Sequence, residues 1–205
     1  MGYLIRALLE AELDEASALL AAVFQDRPFY RYLAPDDTER REFLAENFAT
    51  RLREGFGVSD IQAACLPDGA GGRIVGIAVW APPRQTREDA PPHEDAFARF
   101  SAPLRERFFR FLGILHDGKN EALREAAGQP VWALAPLAVL PAEWGKGAGG
   151  ALLRSKLREL DTRKARCFLG TQDAENAALY GHFGFKIMRK DPLPGSELVH
   201  HTMLR

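Results

Sequence analysis

The 205-residue chain predicts an α/β fold. Three observations point that way. Short apolar runs bounded by Gly, Pro and Asp alternate with longer stretches whose apolar residues recur at helical spacing. The C-terminal part reads strand, loop, helix, strand, helix, strand, strand. Between its first strand and first helix stand Gly145, Gly147, Gly149 and Gly150. That composition suits an anion held at a helix start.

In chain order, Tyr3–Leu8 is a short first strand. Glu12–Phe24 places Leu13, Ala16, Leu19, Leu20, Val23 and Phe24 on one helical face, and Asp26-Arg27-Pro28 ends it. Asp37 or Thr38 caps a second helix with the apolar stripe Phe43, Leu44, Phe48 and Leu52, stopped by Gly55. Ile61–Leu66 and Arg73–Trp80 are strands joined by the hairpin-like turn Pro67–Gly72, the second apolar enough to be central. Pro82–Pro92 is a loop rich in proline and charge. Helical material from about Glu94 to Arg124, with a break at Pro103, carries Phe97, Phe100, Phe108, Phe109 and Phe111. So much aromatic surface packs on the sheet, lines a pocket or forms a subunit interface. Val131–Leu140 is a strand and Ala148–Arg163 a helix. Arg166–Leu169 is a strand, Ala174–Phe183 a helix closed by Gly184, and Phe185–Arg189 and Leu198–Leu204 are the last strands.

Size and composition suit one domain spanning 1–205, with a helical insertion around 94–124. Lys plus Arg number 27 against 28 Asp plus Glu, a net charge of -1. That balance argues against a broad nucleic-acid surface, which needs excess cationic charge. Cys65 and Cys167 stand alone, with no metal-ligand spacing, and fit a reducing, cytoplasmic setting. No apolar run is long enough for a signal peptide or a membrane span, so no membrane partner is expected.

The glycine loop carries the chemistry. Glycine lets a ligand approach backbone N–H groups closely. The following helix adds unpaired N–H groups and a positive end. Together they make a pyrophosphate cradle, with Lys146 on its rim. Gly145, Gly147 and Gly150 satisfy GxGxxG, yet Pro141–Trp144 separate them from the strand and no acid closes the next strand. A nicotinamide or flavin enzyme is therefore the weaker reading. A Walker loop fails for want of Gly-Lys-Ser/Thr.

The stretch Leu137-Ala138-Val139-Leu140-Pro141-Ala142-Glu143-Trp144-Gly145-Lys146-Gly147-Ala148-Gly149-Gly150 resembles the cofactor-binding signature of the GNAT acetyltransferase superfamily. The stretch Asp173–Phe185, with Tyr180 three residues before Gly184-Phe185, resembles the second signature. Ala22–Pro28, Ala78–Pro83, Phe168–Thr171 and the tail Glu197–Arg205 are similar to the puromycin-N-acetyltransferase-like branch. Two positions depart from the family pattern. Trp144 stands where Gln or Arg is usual, and Asp173 where many members have Asn; Asn176 lies one helical turn further on.

The resemblance implies a mixed, mostly antiparallel sheet of six to seven strands flanked by helices. It implies acetyl-CoA as co-substrate and no metal. The pantetheine arm would lie along Leu137, Ala138 and Val139. Its pyrophosphate would sit on Gly145, Lys146, Gly147, Ala148, Gly149 and Gly150, with Asn176 assisting. Tyr180 would protonate the leaving thiolate, since a phenol of pKa about 10 holds its proton at neutral pH. The acceptor would be the primary amine of a small molecule, in a monomer or homodimer. A protein amine, or a non-catalytic acyl-CoA-binding regulator, are the alternatives. No general base is legible among Asp26, Glu42, His93, Glu143, His182 and His200. His200 and His201 would point to opposite faces of the last strand.

Overall fold

The computed structural model describes residues 2–67, 72–83 and 97–205. Most of the turn Pro67–Gly72, most of the loop Pro82–Pro92, and the helical expectation at 94–96 lie outside the described residues, as does His93.

Seven strands form one sheet: β1 (Leu4–Ala7), β2 (Asp60–Leu66), β3 (Arg73–Ala81), β4 (Val131–Val139), β5 (Arg166–Thr171), β6 (Lys186–Pro192) and β7 (Val199–Leu204). Their order is β1-β2-β3-β4-β5-β7-β6. All neighbours are antiparallel except β4 and β5. That is the expected mixed, mostly antiparallel sheet. β3 is central, and Ile74–Trp80 are buried as its apolar run predicts.

Six α-helices among the described residues cover the sheet. They are α1 (Leu13–Phe24), α2 (Pro28–Leu33), α3 (Asp37–Gly55), α4 (Ala102–Glu125), α5 (Ala148–Thr162) and α6 (Ala174–Gly181). The apolar stripes of α1 to α3 and the first half of α4 pack with Ile61, Ile74, Ile77 and Val79. Leu152, Leu153, Leu157 and Leu160 of α5, with Ala177 of α6, pack with Val75, Ala78, Trp80 and Leu169. Alternation along β3 sends successive side chains into these two cores.

Three local expectations are revised. Asp36, not Asp37 or Thr38, caps α3: its Oδ1 accepts from the N–H groups of Thr38 and Glu39 at 3.0 and 2.8 Å. Pro103 does not break α4. It lies in the first turn, where no N–H is needed, behind the Ser101 cap. Pro28 ends nothing further; it starts α2, which carries Phe29 and Tyr30. Arg40, 2 % exposed, locks this region. It donates to the carbonyls of Gln25 at 2.8 Å, Ala34 at 2.7 Å and Pro35 at 3.1 Å, and it pairs with Asp37.

Candidate active site

The glycine loop is built for close approach by an anion. Gly147 caps α5 with φ 98°, a conformation costly for any residue with a Cβ. No side chain caps this helix. The first backbone donor into it is Ala151 N–H, to Gly147 O at 2.9 Å. The N–H groups of Ala148, Gly149 and Gly150 therefore have no backbone acceptor, and the helix end is positive. Arg154 stands over the same turn: a Cβ at Gly150 would lie 3.0 Å from its guanidinium. Among the described residues no carboxylate pairs with Arg154. The sequence reading missed it. Its signal was an arginine one turn after Gly150, on the same helical face.

Beside the cradle, β4 loses a neighbour. It pairs with β5 only over Val131–Leu134, while Leu137–Val139 keep their pairing with β3. A register shift opposite Ala78/Trp80 inserts one extra residue in β4 near Ala135 and Pro136. The bulge flips the alternation, so Leu134, Leu137 and Val139 all pack with the α5 core. From Pro136 to Val139 one backbone edge has no strand partner. Such an edge is a ready template for an extended chain of amides.

These features line one cleft of about 1650 Å³. That exceeds the space one drug-sized ligand fills, and suits a long ligand plus a second molecule. Leu137, Ala138, Val139, Gly145, Gly147, Ala148, Gly149, Gly150, Asn176 and Tyr180 all line it. Lys146 does not. Its Nζ lies 3.4 Å from Glu143 Oε1. Glu143, one of the candidate bases, is 9 % exposed. It accepts from Tyr3 O–H at 2.7 Å, and that bond holds its carboxyl below the usual range. The pair ties the loop to the N-terminal strand.

Tyr180 packs on Phe185, with ring centroids 5.9 Å apart. Burial, then the charge of Asp173, pushes its phenol up to about 12. Its hydroxyl has no hydrogen-bond partner among the described residues, and it keeps its proton at neutral pH. The two departures from the family pattern both have structural work. Trp144 Nε1 donates to Val139 O at 2.7 Å. Asp173 Oδ1 caps α6, accepting from Glu175 and Asn176 N–H at 2.9 and 3.3 Å. Arg27 joins them, stacked 4.8 Å from the Trp144 ring and 3.6 Å from Asp173 Oδ2.

On the other side of the sheet the cleft is walled by α1 to α4. Phe24, Phe29, Tyr30, Phe48 and Phe111 line it there, and it ends at His200. Of the remaining candidate bases, Asp26 pairs with Arg31 at 2.7 Å outside the cleft. Glu42 is exposed, and His182 lines a separate crevice with Arg158 and Arg205. Among the candidates that are described, His200 and the already engaged Glu143 line the cleft. No group of three or more His, Cys, Asp or Glu able to hold a metal is found among the described residues. No described helix is long and apolar enough to cross a membrane.

A positive helix end beside a β4 edge without a strand partner suits a long anionic ligand with amides along its length. The chain belongs to the acetyltransferase (GNAT) family, whose model matches residues 10–185. It is thus an acyltransferase using acetyl-CoA. Its fold is similar to that of Drosophila melanogaster polyamine N-acetyltransferase, at 16 % identity and TM-score 0.67, with 99 % of each chain covered. A mosquito arylalkylamine N-acetyltransferase-like 5b matches at 15 % identity and TM-score 0.68, covering 100 % of this chain and 99 % of that one. A Salmonella typhimurium protein solved with its cofactor acetyl-CoA matches at 16 % and 0.54, covering 100 % and 94 %. At such identities the likeness is one of fold.

Proposed function

We propose that the enzyme transfers the acetyl group of acetyl-CoA to the primary amine of a small molecule by direct attack. The observation that carries this reading is the β4 edge, free of a strand partner with only its Val139 carbonyl taken by Trp144, running into the glycine cradle. The pantetheine amides pair with the edge at Leu137–Val139. The pyrophosphate rests on the N–H groups of Ala148, Gly149 and Gly150, with Arg154 as the cation. Asn176 reaches the cofactor from the first turn of α6, and Lys146 contributes only charge from the rim. A backbone N–H on the open edge of β4 stabilises the oxyanion. Tyr180 gives its proton to the departing sulfur.

The insertion containing α4 supplies the acceptor wall within a single domain. Arg27, Pro28 and Phe168–Thr171, in segments similar to the puromycin-N-acetyltransferase-like branch, line the same cleft; that supports a small-molecule acceptor. The test is release of free CoA thiol against a panel of amines. Tyr180→Phe is expected to lower kcat by about 100-fold or more with CoA affinity kept. Tight CoA binding with no thiol release for any amine would reject the reading in favour of a regulator.

A further inference from the structure

Six rings run in contact along the acceptor wall. Phe48 lies 5.3 Å from Phe24, Phe24 5.4 Å from Tyr30, Tyr30 5.1 Å from Phe29, and Phe29 4.4 Å from Phe111. Phe111 meets the His200 imidazole edge-on at 5.4 Å. The rings come from α1, α2, α3, α4 and β7. The chain of rings therefore leads to one polar group.

His200 is 1 % exposed and its ring lies over Gly170. A Cβ at Gly170 would fall 2.4 Å from Cε1 and 2.8 Å from Nε2. Gly170 sits just past the last β4–β5 pair, and His200 lines the cleft there. Nδ1 is held by the Gln172 amide at 2.7 Å. Amide oxygen and nitrogen are interchangeable in outline, and the same contact serves the Nδ1–H tautomer that leaves a lone pair on Nε2. Nε2 has no partner among the described residues. Charge on this wall disfavours a polycation. The one lining carboxylate that α1 to α4 supply among the described residues is Asp117, set 3.9 Å from Arg189, and Arg51 shares the rim.

We propose, on the basis of the acetyl transfer inferred above, that this chamber takes an apolar aromatic primary amine and that His200 Nε2 receives the acceptor's proton. The rings hold the aryl body, and their faces draw in the ammonium, which first gives one proton to solvent. As the amine nitrogen bonds to the thioester carbon, the nitrogen becomes cationic and its proton passes to Nε2. The carbon–sulfur bond then breaks and sulfur takes the Tyr180 proton. Exchange with water returns the imidazolium proton and restores the phenol. Burial keeps the imidazole neutral, pushed down to about 4, so the lone pair is present at assay pH.

The experiment compares 2-phenylethylamine and tryptamine with putrescine and spermidine by thiol release. The aryl amines should show kcat/KM at least about tenfold higher. His200→Gln should lower kcat about 100-fold with acceptor KM and CoA affinity nearly unchanged. Gly113 is the second handle: it lines the chamber on α4, and a Cβ there meets no atom within 4 Å. Gly113→Leu should raise aryl-amine KM about tenfold and spare CoA affinity. If His200→Gln does not fold, Gly113→Leu decides alone. A preference for the polyamines, wild-type kcat in folded His200→Gln, or an unaltered KM in Gly113→Leu would overturn the proposal and leave acetyl transfer standing. CoA binding without thiol release for any amine would overturn acetyl transfer itself.

Discussion

His200 shows how one buried side chain links stability to function. Its free value of 6.5 falls to about 4, first through burial, then through His201 and Arg189 against the opposing pull of Asp191. The folded protein therefore holds fewer protons than the unfolded chain between those values. Its contribution is fully present above pH 6.5 and is lost as pH falls towards 4. The loss is on the order of 3 kcal/mol. Urea midpoints taken from pH 7 to pH 4.5 should fall more steeply for the native protein than for His200→Gln. Parallel curves would mean that the imidazole is not desolvated. Tyr180 behaves in the opposite sense: its phenol, raised to about 12, adds no titration near neutrality. Its position was legible because Tyr180 and Gly184-Phe185 are close in sequence. His200 was one candidate among several, because its neighbours Phe111, on α4, and Gly170 and Gln172, at the end of β5, come from two other segments.

At the scale of elements, the glycine loop and α5 act together. The N–H groups of the first turn and Arg154 stand together, with no carboxylate among the described residues to neutralise them. Arg154→Gln should weaken CoA binding by about tenfold or more in calorimetry, and less at high salt. An unchanged affinity would place the pyrophosphate elsewhere. α2 depends on a different device. Three main-chain carbonyls end on the Arg40 guanidinium, and their loss leaves buried acceptors unpaired. Arg40→Met should lower stability by about 3 kcal/mol, read from urea unfolding. α2 is not legible in the sequence because it is six residues long, has no side-chain cap and begins at Pro28, a residue type that reads as a helix stop. Most longer elements were legible to within a few residues, since their apolar periodicity runs over several turns or a whole strand; α4 was not, because Phe97 and Phe100 extend the apolar pattern ahead of its start at Ala102.

Across the whole molecule, the cleft exists because two cores press on the sheet from opposite sides while β4 and β5 part between them. The parting is a property of pairing, not of either strand's sequence. Val131–Leu140 reads as an unbroken strand, and only the register against β3 and β5 reveals the extra residue and the open edge. The mixed sheet and the acetyl-CoA chemistry were reached through two short signatures, each local along the chain. The acceptor wall was not, since its rings are contributed by five elements. Amide hydrogen exchange with and without CoA tests the central claim most directly. Binding should slow exchange at residues 137–139 and 145–151, and leave β1 and β2 unchanged. Protection confined to other segments, or none at 137–139, would contradict a cofactor laid along the open edge of β4.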